Sequence, residues 1–203
     1  KGLDMAIRAA APLLRDGRLV FDIIGDGPRA EDLQALARAE GVSHGVNFCG
    51  WKSHTEVQEI AARCQILLFP SIREFGGGAV LEAMSLGLVP IVVNYGGPGE
   101  LVDTTTGFRV PLGDRQDIIR DLRQVLQDIA DAPRILRPLA QAGREKVLRE
   151  FSWEARARFI VAIWREVLAG QKAGGQSLPE GMSHFTAEAM SATVVAKPCR
   201  SKK

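Results

Sequence analysis

Apolar residues fall at helical spacing from Leu3 to Arg15, where Leu3, Ile7, Ala10, Ala11 and Leu14 share one face and Asp16-Gly17 ends the run. Arg18 to Ile24 then reads as a strand that closes in Gly25-Asp26-Gly27-Pro28. Pro28 suits the first position of a helix running to about Glu40, with Gly41 just past its end. Val46-Asn47-Phe48 predicts a short strand leading into Gly50-Trp51-Lys52. Ser53-His54-Thr55-Glu56 has capping-box spacing, and Val57, Ile60 and Ala61 supply the buried face of the helix it starts. Ile66-Leu67-Leu68-Phe69 is an uninterrupted apolar run stopped by Pro70, the pattern of a strand buried on both faces.

After that strand come Glu74-Phe75-Gly76-Gly77-Gly78 and a helix from near Gly77 to Gly87. Val89 to Val93 predicts another buried strand, Tyr95 to Glu100 a loop that opens a short helix, and Gly107 to Val110 a last short strand. From Asp114 onward the pattern is helical only, over about Asp114–Ala130, Pro133–Glu150 and Ser152–Ala169. Strands alternating with helices predict an α/β domain with a doubly wound, mostly parallel, Rossmann-like sheet. Such a sheet binds ligands outside the carboxyl ends of its strands, the edge that carries the Gly25, Trp51, Pro70–Gly78 and Tyr95–Glu100 loops. The domain reads as residues 1–169, and residues 170–203, rich in Gly, Ser, Ala and Lys, read as a mobile, disordered tail.

Composition narrows the classes. The 203 residues are 46% hydrophobic and 25% charged, with a net charge of only +2, so nothing marks the chain as a nucleic-acid binder. No apolar run approaches the roughly 18 residues of a membrane span. Three scattered cysteines argue against a disulfide framework and for a reducing compartment, which reads as cytoplasmic. The arginine-rich last helices read as a solvated face, with peripheral association at the inner face of a membrane as the alternative. The chain opens at Lys1-Gly2 without an initiator Met, which reads as a piece of something longer.

Glu74 and Glu82 stand eight positions apart, with three glycines between them at the mouth of a helix. Backbone N–H groups there suit a diphosphate, glycine permits close backbone approach, and a carboxylate suits a ribose diol. Two other readings stay open at this point: Glu82 pairs with an arginine, or the glycines serve helix packing. Gly25-Asp26-Gly27-Pro28-Arg29-Ala30 has the spacing of a dinucleotide fingerprint, but the next strand ends without the acidic residue that NAD requires. The three histidines show no metal pairing, and there is no Gly-x-Ser-x-Gly elbow.

Taken in order, Lys1-Gly2, Gly25-Asp26-Gly27-Pro28, Val46-x-Phe48-x-Gly50, Phe69-Pro70-Ser71, Glu74-x7-Glu82-Ala83-Met84, Gly96-Gly97-Pro98-Gly99-Glu100, Gly107-Phe108 and Phe151-Ser152-Trp153 resemble the donor-binding half of family-4 retaining glycosyltransferases (group 1) with the GT-B fold. The resemblance implies a hexosyltransferase type of enzyme that moves a sugar from a nucleoside diphosphate with retention, without a cofactor or metal. It implies that Lys1 neutralises the diphosphate, Glu74 lies against the sugar and its phosphate, and the backbone of Phe75, Gly76 and Gly77 contacts both. Glu82 would hold the ribose, and Trp51 and Lys52 would lie beside the nucleobase.

The same resemblance implies an acceptor glycan, lipid or small molecule bound by an amino-terminal domain that the chain lacks, so that the chain alone is inactive. It also implies a missing first central strand, which leaves a hole in the sheet. Alternatives are an epimerase or phosphorylase of the same fold and a non-catalytic binding or assembly module.

Overall fold

Two fully apolar segments, β3 (Ile66–Phe69) and β4 (Val89–Val93), lie side by side in parallel, every residue buried. The computed structural model describes residues 1–168 and 193–198. Around these two strands stand β1 (Leu19–Ile24), β2 (Val46–Gly50), β5 (Phe108–Val110) and β6 (Thr193–Pro198). The sheet order is β2-β1-β6-β3-β4-β5. Apart from β6, the strand pairs in this sheet are parallel.

The helices divide between the two faces as a doubly wound sheet requires. On one face α1 (Leu3–Arg15), α2 (Ala30–Ala39) and α6 (Arg115–Asp131) bury residues such as Ile7, Leu14, Leu33, Ile118 and Leu122 against Phe21, Leu68 and Ile91. On the other, α3 (His54–Ala61), α4 (Gly78–Ser85), α5 (Gly96–Leu101) and α7 (Leu136–Glu150) contribute Val57, Val80, Met84, Leu101 and Val147 against Leu67, Phe69 and Val92. The last helix, α8 (Trp153–Leu168), has no buried residue and leaves Trp153 and Trp164 exposed. The capping box at Ser53 and Glu56 forms as its spacing predicts.

The expected hole is filled, and by a segment expected to be mobile. Residues 193–198 form the central strand β6, which runs antiparallel between β1 and β3. Unpaired N–H and C=O groups along two facing strands are a strong template for any extended segment. Val194 and Ala196 enter the core on one face and Val195 on the other. Burying the two valines is worth roughly 1.5–3 kcal/mol each. The remainder of the expected tail, 170–192 and 199–203, lies outside the described residues, as does residue 169.

Candidate functional site

β3 ends at Pro70, and the loop that follows delivers Glu74 to the carboxyl edge of the sheet. Gly77 caps α4 in a left-handed conformation (φ 68°) that favours glycine, and its carbonyl accepts from the Val80 N–H at 2.9 Å. The neighbouring Tyr95–Gly99 loop presses onto this one. The Gly97 N–H donates to the Phe75 carbonyl at 3.1 Å, and a Cβ on Gly97 would lie 2.3 Å from that oxygen. Gly78 faces open space, so no packing contact demands glycine there.

Lys1 reaches the same loop from the start of α1. Its ammonium donates to Glu74 Oε2 and stands 5.7 Å from the centre of the Phe69 ring. Gly2 is left-handed (φ 74°), and a Cβ there would meet the Pro70 carbonyl at 2.5 Å, so the entry to α1 sits tightly against the end of β3. Beside it, Lys1, Gly2, Asp4, Gly25, Asp26, Gly27, Pro28 and Arg29 line a cavity of about 260 Å³. The N-terminal turn of α1 is held in place by the pairing of Arg115 with Asp4.

Glu82, on the second turn of α4, lines a different and smaller cavity of about 40 Å³ with Val57, Gln58 and Ser85. Burial pushes its carboxyl above the ordinary range, against the opposing pull of His54. Among the described residues it has no arginine partner and no side-chain hydrogen bond, which removes the expectation of a structural ion pair. Trp51 is 76% exposed on the loop after β2, which is tied to the β1 loop by the Gly25 N–H donating to the Gly50 carbonyl at 2.8 Å. Lys52 is engaged at 3.1 Å by Glu56, on the first turn of α3. The structure thus brings Lys1, Glu74 and the Phe75–Gly77 backbone into one cluster. Glu82 stands apart from that cluster in its own cavity.

The profile of the family described as glycosyl transferases group 1 matches residues 1–144. The chain belongs to this family. Among its curated relatives, a 2-deoxystreptamine glucosyltransferase of Streptomyces kanamyceticus is 30% identical over 174 residues, covering 85% of this chain and 44% of that protein. A glycogen synthase of Mycobacterium tuberculosis is 30% identical over 182 residues, covering 88% and 43%. Among solved structures, Anabaena HepE in complex with UDP has a TM-score of 0.70 at 20% identity, covering 84% of this chain and 45% of that one, a likeness of fold. The chain spans less than half the length of the curated relatives it matches.

Other residues beside this cluster carry no role that their sequence context announces. Ser71 Oγ, at the end of β3, is the one buried side-chain polar atom without a hydrogen-bond partner among the described residues. Its hydroxyl carries no signal in the sequence beyond its place after Pro70. Gly96 and Gly97 were legible as a motif, but their purpose is a contact between two loops: a Cβ on Gly96 would lie 2.7 Å from the Glu74 carbonyl.

Proposed function

We propose that this group 1 chain is the donor-binding half of a family-4, retaining glycosyltransferase of hexosyltransferase type. The observation that carries the reading is Glu82, a half-buried carboxylate without a protein partner among the described residues, on the helix that also opens beneath Glu74. Burial of a carboxylate costs free energy unless something hydrogen-bonds it, and a ribose diol supplies two donors. Glu74 and Lys1 then face the sugar–phosphate end, with Lys1 exchanging its carboxylate for the diphosphate. The N–H groups of the Gly76–Gly78 turn and the positive end of α4 complete the anion site. Trp51 and Lys52 lie toward the nucleobase. The UDP in the Anabaena HepE structure supports a nucleoside diphosphate as the common part of the donor.

In the transfer step the bond from the anomeric carbon to the diphosphate oxygen breaks, and an acceptor hydroxyl oxygen bonds to that carbon on the same face. The hydroxyl proton passes to the departing phosphate oxygen, so no enzyme nucleophile or metal enters. Lys1 and the loop N–H groups stabilise the charge that gathers on the diphosphate, and one such preorganised donor is typically worth about 10²–10³ in rate. The acceptor is bound by protein outside this chain, so the chain alone holds a donor without transferring it. The setting is cytoplasmic, and the arginine-rich helices α7 and α8 present a solvated face. No helix among the described residues is long and apolar enough to cross a membrane.

The test is calorimetric titration of UDP-, GDP- and ADP-sugars against the chain and its Glu82→Ala variant. One donor class binds the wild type, and the variant binds it at least about tenfold more weakly. Equal affinity refutes the ribose role of Glu82, and sugar transfer by this chain alone refutes the placement of the acceptor.

A further inference from the structure

Gln58 and Glu82 line one cavity from two helices, α3 and α4. His54, one turn before Gln58 on α3, fixes the carboxamide: Gln58 Nε2 donates to His54 Nε2 at 2.9 Å. That bond spends one of the two amide hydrogens and leaves the other to be given. The third polar side chain at the cavity is committed to its own helix, since Ser85 Oγ donates to the Glu82 carbonyl at 2.7 Å. Ile24 and Leu67 from the sheet and Val57 and Ala61 from α3 make the remaining surroundings apolar.

Glu82 has no protein partner among the described residues, and burial already holds its carboxyl above the ordinary range. A polar group that enters therefore meets a carboxylate that only accepts and a carboxamide that can also donate. Size limits what that group can be. The cavity of about 40 Å³ has room for roughly three water-sized groups, since one needs about 10–15 Å³. Two adjacent hydroxyls fit, and a whole sugar ring does not. The diol of a ribose is such a pair, presented at one edge of its ring. When both hydroxyls donate to the Glu82 carboxylate, their oxygens still carry lone pairs. Among apolar walls those go unmet unless a donor stands beside them.

We propose that Gln58, held by His54, is a second ribose-binding residue that donates to one hydroxyl of the diol from which Glu82 accepts. The inference rests on the ribose role of Glu82 in the proposed function and adds the α3 wall of the same cavity. It restricts the nucleoside half of the donor to a ribonucleoside with both hydroxyls free. A 2′-deoxy or 3′-deoxy analogue leaves the carboxylate short of a donor, and one of the two also leaves the Gln58 hydrogen without an acceptor.

The experiment is calorimetric titration of UDP, GDP and ADP, each with its 2′-deoxy and 3′-deoxy counterparts, against the chain and its Gln58→Leu and His54→Ala variants. Leucine keeps the bulk of the side chain and the helix while removing the donor. The wild type is expected to bind one ribonucleotide at least about tenfold more tightly than its deoxy forms. Gln58→Leu weakens that ribonucleotide about fivefold to tenfold and leaves one of the two deoxy forms within about twofold, so the preference at that hydroxyl shrinks. His54→Ala shrinks it by a smaller factor, because the carboxamide stays but is no longer held. A general disturbance of α3 would weaken every ligand alike. Equal losses on the ribonucleotide and both deoxy forms, or no loss, overturn the role of Gln58 and leave the donor site standing. Failure of the wild type to bind any of the three nucleotides removes the donor site itself, and this ribose contact with it.

Discussion

Lys1 and Glu74, at the start of α1 and in the loop after β3, form an ion pair across the carboxyl edge of the sheet. Both side chains keep some solvent exposure, so the pair contributes little to stability, in the range of about 0–1 kcal/mol for such contacts. On the proposed function its weight falls on donor binding. Lys1→Ala and Glu74→Gln are each expected to leave the melting temperature within about 2–4 °C of wild type. Each is expected to weaken binding of whichever UDP-, GDP- or ADP-sugar the wild type takes by about tenfold or more, read by calorimetry.

The glycines on either side of this edge separate by purpose. Gly78→Ala adds a Cβ into open space at the first turn of α4 and is expected to raise stability by about 0.4–1 kcal/mol. If the turn lies against a diphosphate, the same methyl weakens donor binding, so stability and affinity move in opposite directions. Gly97→Ala meets the Phe75 carbonyl and is expected to destabilise by about 2–4 kcal/mol while disrupting the Glu74 loop. Thermal melts and donor titration on the two variants check both statements.

Glu82 gives a signed pH dependence. Burial raises its folded-state carboxyl above 4.5, so the unfolded chain loses that proton at lower pH than the folded one. The cost of burying the charge is therefore complete above the folded value and fades as pH falls toward 4.5. Glu82→Gln is expected to raise the melting temperature at pH 7 and to match wild type near pH 4, as followed by melts across that range.

The α3 capping box has the opposite sign. Hydrogen bonds from the Ser53 backbone and hydroxyl, then from Lys52, hold the Glu56 carboxyl at about 2. Its contribution is present above 4.5 and is lost as pH falls toward about 2. Glu56→Gln is expected to lower the melting temperature at pH 7, with the difference vanishing near pH 2. Ser53→Ala removes the cap itself, worth about 1 kcal/mol, or about 2–4 °C.

Most of this fold was written in local pattern. Apolar runs of strand length, capping signals and helix-ending glycines located β1 to β5 and α1 to α8 to within a few residues, because each is decided by neighbours in sequence. The glycine loop, Glu74 and Glu82 were legible for the same reason, as chemistry concentrated between a strand and a helix. What only tertiary structure decided lies in pairings between distant residues. Lys1 meets Glu74 and Gly97 meets Phe75 because two loops share one sheet edge. Glu82 proved free of an arginine among the described residues because of what surrounds α4, which no spacing reports. The sixth strand is the clearest case. Val194-Val195-Ala196 is too short an apolar run to stand out in a stretch rich in Gly, Ser and Lys. It becomes a central strand because β1 and β3 offer two open ladders and two apolar faces at one place, and that offer exists only once the rest of the sheet has formed.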